Sequence, residues 1–176
     1  MPGGIPTGSK LTLRTATEGD AEIVARLVTG LNDAVGPDGM LDSSPENVLV
    51  TPGQARDRMR AMAPGEEVIL ALIDGEPAAL LSLRIVPYLS QDVPYAEVTQ
   101  LYVVPERRRQ GVGTMLMAQA DFVARERGAT AVHVLAWQEN EDAHGFYRSL
   151  GYEPLEIGFN KYLPRKSSAR KRRAEG

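Results

Sequence analysis

The stretch "VTQLYVVPERRRQGVGTMLM", Val98 to Met117, constrains what this chain can fold into more than any other. An apolar, β-branched run ends at Pro105, and the residues after Gly111 turn to a helical pattern. Met115, Leu116, Ala120, Phe122 and Val123 lie along that helix, and Gly128 is placed to close it. The run "ATAVHVLAW" that follows reads as another strand, central to its sheet because it lacks polar alternation. Strand, helix and strand at this spacing form a βαβ unit, whose two strands lie parallel.

Upstream, "KLTLRTA" alternates Leu11 and Leu13 with polar neighbours, as a half-buried strand does. Thr17 is an N-cap with Asp20 as its capping-box acid, and Ile23, Leu27 and Leu31 share one face of a first helix. Residues 32–52 are rich in Gly, Pro, Asp and Ser and read as a long loop of the kind that walls binding sites. "PGQARDRMRAM" is a second, short helix with Pro52 in its first turn. "EEVILALIDG" and "EPAALLSLRIV" are strands joined by a hairpin at Asp74-Gly75, and "YAEVTQLYVV" is the next strand. "NEDAHGFYRSLGY" is a helix ended at Gly151, and "EPLEIGFNKYL" supplies one or two last strands. The order β-α-α-β-β-β-α-β-α-β(-β) predicts an α/β fold: a meander joined to the βαβ unit in one mixed sheet with helices on both faces.

With 176 residues, 43% apolar and 24% charged, the chain is expected to form one soluble domain over 11–163. Residues 1–10 read as a flexible N-terminus without an export signal, and 164–176 as a disordered basic tail. No apolar run approaches the ~20 residues of a membrane span, so the cytoplasm is the expected location. The chain has no cysteine, which excludes disulfides, thiolate zinc sites and a Cys nucleophile. His133 and His144 have no carboxylate at metal-site spacing, so no metal is expected. His133 reads as a structural residue within its strand, His144 as solvent-facing, and Trp137 as either core or pocket lining.

The net charge of −3 hides an asymmetry. Up to Leu163 there are 14 basic and 22 acidic residues, a net charge of −8, while the tail holds six basic residues and Glu175. An acidic body suits a cationic partner and argues against nucleic acid. The tail would bind phosphates only weakly and with a steep salt dependence.

The first turn of a helix has N–H groups without intrahelical partners, and the macrodipole makes that end positive. Gly111 and Gly113 at such an end let an anion approach the backbone, and Arg108 and Arg109 add charge. These residues leave two readings open: a phosphate seat or a solvated loop. A P-loop is excluded, because Thr114 and Met115 follow Gly113 where Lys-Ser/Thr is needed. A dinucleotide fingerprint is excluded by bulky Met115 and Leu116 and by the acid-free strand end "LAWQ".

Together, "LYVVPERRRQGVGTMLM" and "NEDAHGFYRSLGYEPLE" resemble the GNAT superfamily of acetyl-CoA-dependent N-acetyltransferases. Arg108, Gly111 and Gly113 match the family's Gln/Arg-x-x-Gly-x-Gly/Ala motif, and Asn140, Ala143, Tyr147, Gly151 and Tyr152 match its later segment. The resemblance implies a twisted mixed sheet of six to seven strands with about four helices, and acetyl-CoA as co-substrate. It implies that the backbone of Leu101, Tyr102 and Val103 pairs with the pantetheine arm. It implies that the amides of Arg109, Gln110, Gly111, Val112, Gly113 and Thr114 hold the pyrophosphate, and that Asn140 hydrogen-bonds the pantetheine near the sulfur. Arg107 and Arg148 are candidates for the ribose phosphate.

Acetyl transfer needs a neutral amine and a stabilised leaving thiolate. Glu97 lies where histone-type members of the family carry their general base, with Glu139 and Glu141 as fallbacks. Tyr147 fits the general acid by type and motif position, and the Leu101 N–H would polarise the thioester carbonyl. Without a cysteine, direct transfer in a ternary complex is expected over a ping-pong route. The expected acceptor is a cationic primary amine: an amino sugar, a polyamine, a lysine side chain or a peptide N-terminus. Asp33, Asp38, Asp42 and Glu46 are candidate walls for it. The rival reading is a non-catalytic acetyl-CoA sensor, which would need neither Glu97 nor Tyr147. A homodimer through the last strands is a further expectation, since such dimers are common in the family.

Overall fold

The computed structural model describes residues 4–6, 8–36 and 49–155. Five strands form one sheet in the order β1 (Leu11–Thr15), β2 (Glu66–Ile73), β3 (Glu76–Val86), β4 (Tyr95–Val103) and β5 (Val132–Val134). The first four pair antiparallel, and β5 joins β4 in parallel. The helices are α1 (Ala21–Val35), α2 (Pro52–Arg60), α3 (Val112–Glu126) and α4 (Glu141–Ser149). The meander, the βαβ unit and the four helices agree with the sequence reading. The strand count is lower than the six to seven expected; residues 153–155 form no strand, and 156–163 lie outside the described residues.

Local chemistry accounts for the junctions. Asp74 and Gly75 both take positive φ (53° and 86°) in the two-residue turn between β2 and β3, as a type I′ hairpin requires. Asp20 Oδ2 accepts from the Thr17 backbone N–H (2.8 Å) and hydroxyl (3.0 Å), and Arg14 donates to both Asp20 oxygens (2.6 and 2.8 Å). These bonds, the Arg14 guanidinium first, hold the Asp20 carboxyl well below the usual carboxylate range. Thr51 caps α2 in a reciprocal box with Gln54. The α3 helix ends with Ala129 N–H donating to Ala124 C=O past Gly128.

The core has two layers, one on each face of the sheet. Ile69, Ala71 and Ile73 of β2 and Leu81 and Leu83 of β3 face α3, where Val112, Leu116 and Ala120 meet them. Val68, Leu70 and Leu80 face α1 and α2. Burial on both sides explains why "VILALI" and "AALLSL" read as unbroken apolar runs. Met115 and Phe122 lie on α3 as expected but are exposed, because its packed stripe runs through their neighbours Leu116 and Val123.

Two features of β4 were not visible in the sequence. The first is a bulge at Thr99: Leu83 pairs with Val98 but Ser82 pairs with Gln100. Before the bulge Ala96 and Val98 face α3; after it Leu101 and Val103 do, and Tyr102 turns to α1. A single extra residue thus resets the pleat. Tyr102 packs so closely on α1 that a Cβ on Gly30 would lie 2.6 Å from its hydroxyl. The second feature is the short β5, which pairs with β4 only from Ala96 to Val98. Beyond Val134 the chain leaves the sheet, and Leu135 is exposed. β5 is therefore three residues long and the last strand of the described sheet, where the sequence suggested a long central one.

Candidate functional site

The departure of β5 gives the second half of β4 an edge that no described strand covers. An exposed strand edge presents backbone N–H and C=O groups to whatever extended molecule lies along it. Leu101, Tyr102 and Val103, expected to bind pantetheine, are the residues on this edge. Their side chains are anchored away from it: Leu101 and Val103 against the α3 layer, Tyr102 against α1.

At the end of β4 the chain makes a 3-10 turn, Pro105–Arg107, then a tight loop into α3. Arg109 and Gly111 take positive φ of 59° and 84°. Gly111 adopts a conformation that side chains resist, while open space surrounds its α-carbon. Among the described residues, no backbone carbonyl or side chain accepts from the six N–H groups of Arg109 to Thr114. N–H groups without acceptors at a helix N-terminus are suited to an anion. Gly113 has a different reason to be glycine: a Cβ there would sit 3.2 Å from Phe146 of α4 and 3.7 Å from Val103. The second glycine lets α4 close on the loop.

The arginines are used otherwise than their sequence position suggested. Arg108 Nε donates to the Val103 carbonyl (3.1 Å), and its guanidinium lies 5.9 Å from the Tyr102 ring centroid. Arg108 thus ties the loop to the strand. Arg109 reaches Asp142 of α4 at 3.5 Å, but both side chains are solvent-exposed, and such pairs contribute little. Gln110 Nε2 donates to Glu106 C=O (2.8 Å), while its buried Oε1 has no partner. An acceptor cannot serve a phosphate, so this side chain fixes the turn and leaves anion binding to the backbone.

On α4, Asn140 is the N-cap, its Oδ1 accepting from Ala143 N–H at 3.1 Å. That leaves its amide NH2 as the donor for a ligand. Phe146, Tyr147 and Tyr152 pack in sequence, with ring centroids 5.3 and 5.9 Å apart, at the margin of the α3 layer. Burial pushes the Tyr147 phenol up from its ordinary value, and burial with the nearby Asp121 carboxylate does the same to Tyr152. Tyr152 donates to Asp121 at 3.3 Å; Tyr147 OH has no hydrogen bond among the described residues.

Glu97 lies in the paired half of β4, across from Arg84 of β3, which donates two bonds to Oε2 (2.8 and 3.2 Å). The sequence reading missed this partner, since strand register links residues that local pattern does not. His133 is directly across from Glu97 on β5 and stacks on Tyr95 at 4.5 Å, in keeping with a structural place for it. Glu139 is exposed in the loop before α4 and Glu141 is its exposed first residue, away from this pair in sequence and in the sheet. Trp137 is partly exposed, and His144 is half-buried rather than fully solvent-facing. Asp33 is exposed on α1, while Asp38, Asp42 and Glu46 lie outside the described residues. Among the described residues no three His, Asp or Glu side chains converge as metal ligands, and no helix is long and apolar enough to cross a membrane.

The site thus combines a half-strand with no described neighbour on one edge, a helix-opening loop whose amides lack acceptors among the described residues, and Tyr147 on the next helix. The acetyltransferase (GNAT) family model matches residues 40–152, and the chain belongs to that family. It is similar to aminoalkylphosphonate N-acetyltransferase of Salmonella typhimurium, 33% identical over 100 residues that cover 57% of this chain and 65% of that one. It is also similar to an aminoglycoside N(6')-acetyltransferase type 1 of Acinetobacter haemolyticus, 33% identical over 54% of this chain and 69% of the relative. The chain thus spans about two thirds of the length of these relatives. Among solved structures, a transcriptional regulator from Bacillus halodurans C-125 superposes with a TM-score of 0.71 at 25% identity, over 88% of this chain and 100% of that one.

Proposed function

We propose that the chain transfers the acetyl group of acetyl-CoA directly to a primary amine that is cationic before it reacts. The observation that carries this is the uncovered edge of β4 running into the six free amides of Arg109 to Thr114. The spacing suits an extended arm ending in a pyrophosphate. Acetyl-CoA supplies an acetyl group on a thioester, activated towards an amine. Arg107 or Arg148 would meet its ribose phosphate, Asn140 its pantetheine, and the Leu101 N–H its carbonyl.

Glu97 takes the proton from the acceptor ammonium, directly or through water, with Arg84 fixing the carboxylate. The amine nitrogen then bonds to the acetyl carbon as the C–S bond breaks; Tyr147 gives its proton to the departing sulfur, and the second proton of the acylated nitrogen passes, directly or through water, to the Tyr147 phenolate. A phenol whose pKa is raised stays protonated across the physiological range and is suited to that task. The names of the two relatives give an aminoalkylphosphonate and an aminoglycoside as acceptors. Both are amines, and that class is what we carry to this chain. We also propose the cytoplasm as its location and a homodimer as its assembly.

The test is release of free CoA from acetyl-CoA, read with a thiol reagent across a panel of amines. The protein has no cysteine, so every thiol detected comes from the co-substrate. Turnover with intersecting double-reciprocal lines supports direct transfer. Parallel lines would sink it, and acetyl-CoA binding with no turnover would instead support the non-catalytic sensor.

A further inference from the structure

We propose that the acceptor site is the cavity of about 200 Å³ between the sheet and helices α1 and α2, and that it takes an amine whose apolar body ends in an acid group. The proposal rests on the acetyl-transfer reading and adds the acceptor's chemistry to it.

Position comes first. The floor of the cavity is Ser82 of β3 with Thr99 and Gln100 of β4, the two residues at the bulge. Ser82 is two residues from Arg84 on the same strand, so their side chains share a face of the sheet. The Arg84–Glu97 pair therefore lies on the same face as the cavity and next to it. Gln100 directly precedes Leu101, where the uncovered edge of β4 meets the expected thioester. An amine between Glu97 and that edge would have its remaining atoms in the cavity.

The lining sets the rest of the molecule. Val24 and Val28 of α1, Met59 and Met62 in and after α2, and Val68 of β2 are apolar walls. Flexible methionines adjust to an aliphatic chain. A hydroxyl-rich sugar would find partners on the Ser82, Thr99 and Gln100 floor but leave hydroxyls unpaired against these walls. Arg58, a solvent-exposed residue of α2, is the single charged residue of the described lining, and its guanidinium makes no ion pair among the described residues. A second ammonium there would meet like charge, whereas a carboxylate or phosphonate would gain a charge-assisted hydrogen bond. The acidic surface still draws the ammonium end, so the fitting ligand is zwitterionic: an ω-amino acid with an aliphatic middle.

The test is calorimetric titration of the full chain, with and without CoA, using ω-amino carboxylic acids of increasing length, their amides, and the matching diamines. The acids are expected to bind at least about tenfold tighter than the amides or diamines. Arg58→Gln should remove the preference while leaving CoA affinity unchanged, and Arg58→Glu should turn it towards the diamines. Equal binding across the series, or a preference that survives Arg58→Gln, overturns the proposal. CoA release with the same compounds separates the two readings. Arg58-dependent binding without turnover upholds the site and defeats the transferase, and turnover indifferent to the end group does the reverse. No binding and no turnover with any amine defeats both.

Discussion

The two halves of β4 are made of similar residues and do different work. From Ala96 to Val98 the strand has partners on both sides, β3 and β5, and Ala96 and Val98 are buried. From Thr99 to Val103 it has β3 alone, and its other edge is covered by no described strand. The first half is held from both sides, while the second leaves an edge that the proposed reading gives to the co-substrate. The bulge at Thr99 divides them. The lesson is that a sheet can be interrupted along one edge of a strand while buried side chains still anchor that strand.

The largest effect is expected from Tyr147→Phe, which tests the chemistry assigned to the free half. It should lower the transfer rate by about 10²–10⁴-fold while leaving acetyl-CoA affinity unchanged, measured by steady-state kinetics and calorimetry. An unchanged rate would remove Tyr147 from the chemistry. In the paired half, Val98→Ala removes buried methyl groups from the α3 layer and should cost about 2 kcal/mol in urea denaturation, with acetyl-CoA affinity intact. A smaller effect comes from Gly111→Ala. The backbone there is left-handed and no atom crowds it, so strain alone should cost ~1–2 kcal/mol. Its acetyl-CoA affinity should fall as the amides turn, and a fall without loss of stability would contradict the strain argument. The smallest is Arg84→Gln: the guanidinium is nearly half exposed, so stability should change by less than about 1 kcal/mol. Turnover should fall nonetheless, because the Glu97 carboxylate loses the group that fixes it.

Tyr147 and Tyr152 add a pH prediction. The phenols of Tyr147 and Tyr152 titrate above their ordinary value in the folded chain, so the unfolded chain releases these protons first. Their contribution to stability is fully present below about pH 10 and is lost as pH rises through the folded values. Thermal melts of wild type and Tyr152→Phe should diverge little at neutral pH compared with their divergence above pH ~10. Parallel curves throughout would show that the ring's environment is not carrying the shift.

Much of this molecule could be read along the chain. Asp74-Gly75 specified its turn, and Thr17 with Asp20, and Pro52, specified helix starts. These rules act over a few residues, through sterics and short hydrogen bonds, so the sequence alone carries them. Tertiary structure decided what depends on distant segments meeting. It set the register that gives Glu97 its Arg84 and the bulge that turns Tyr102 towards Gly30. It brought Phe146 against Gly113, put Arg108 to work holding a strand, and left Arg58 over an apolar cavity. It also cut β5 to three residues, although "ATAVHVLAW" has the composition of a longer strand. Strand length is set by whether a partner lies alongside, and side-chain contacts across a sheet are set by the packing of helices remote in sequence. Neither is encoded in local periodicity, because each follows from the free energy of the whole assembled core.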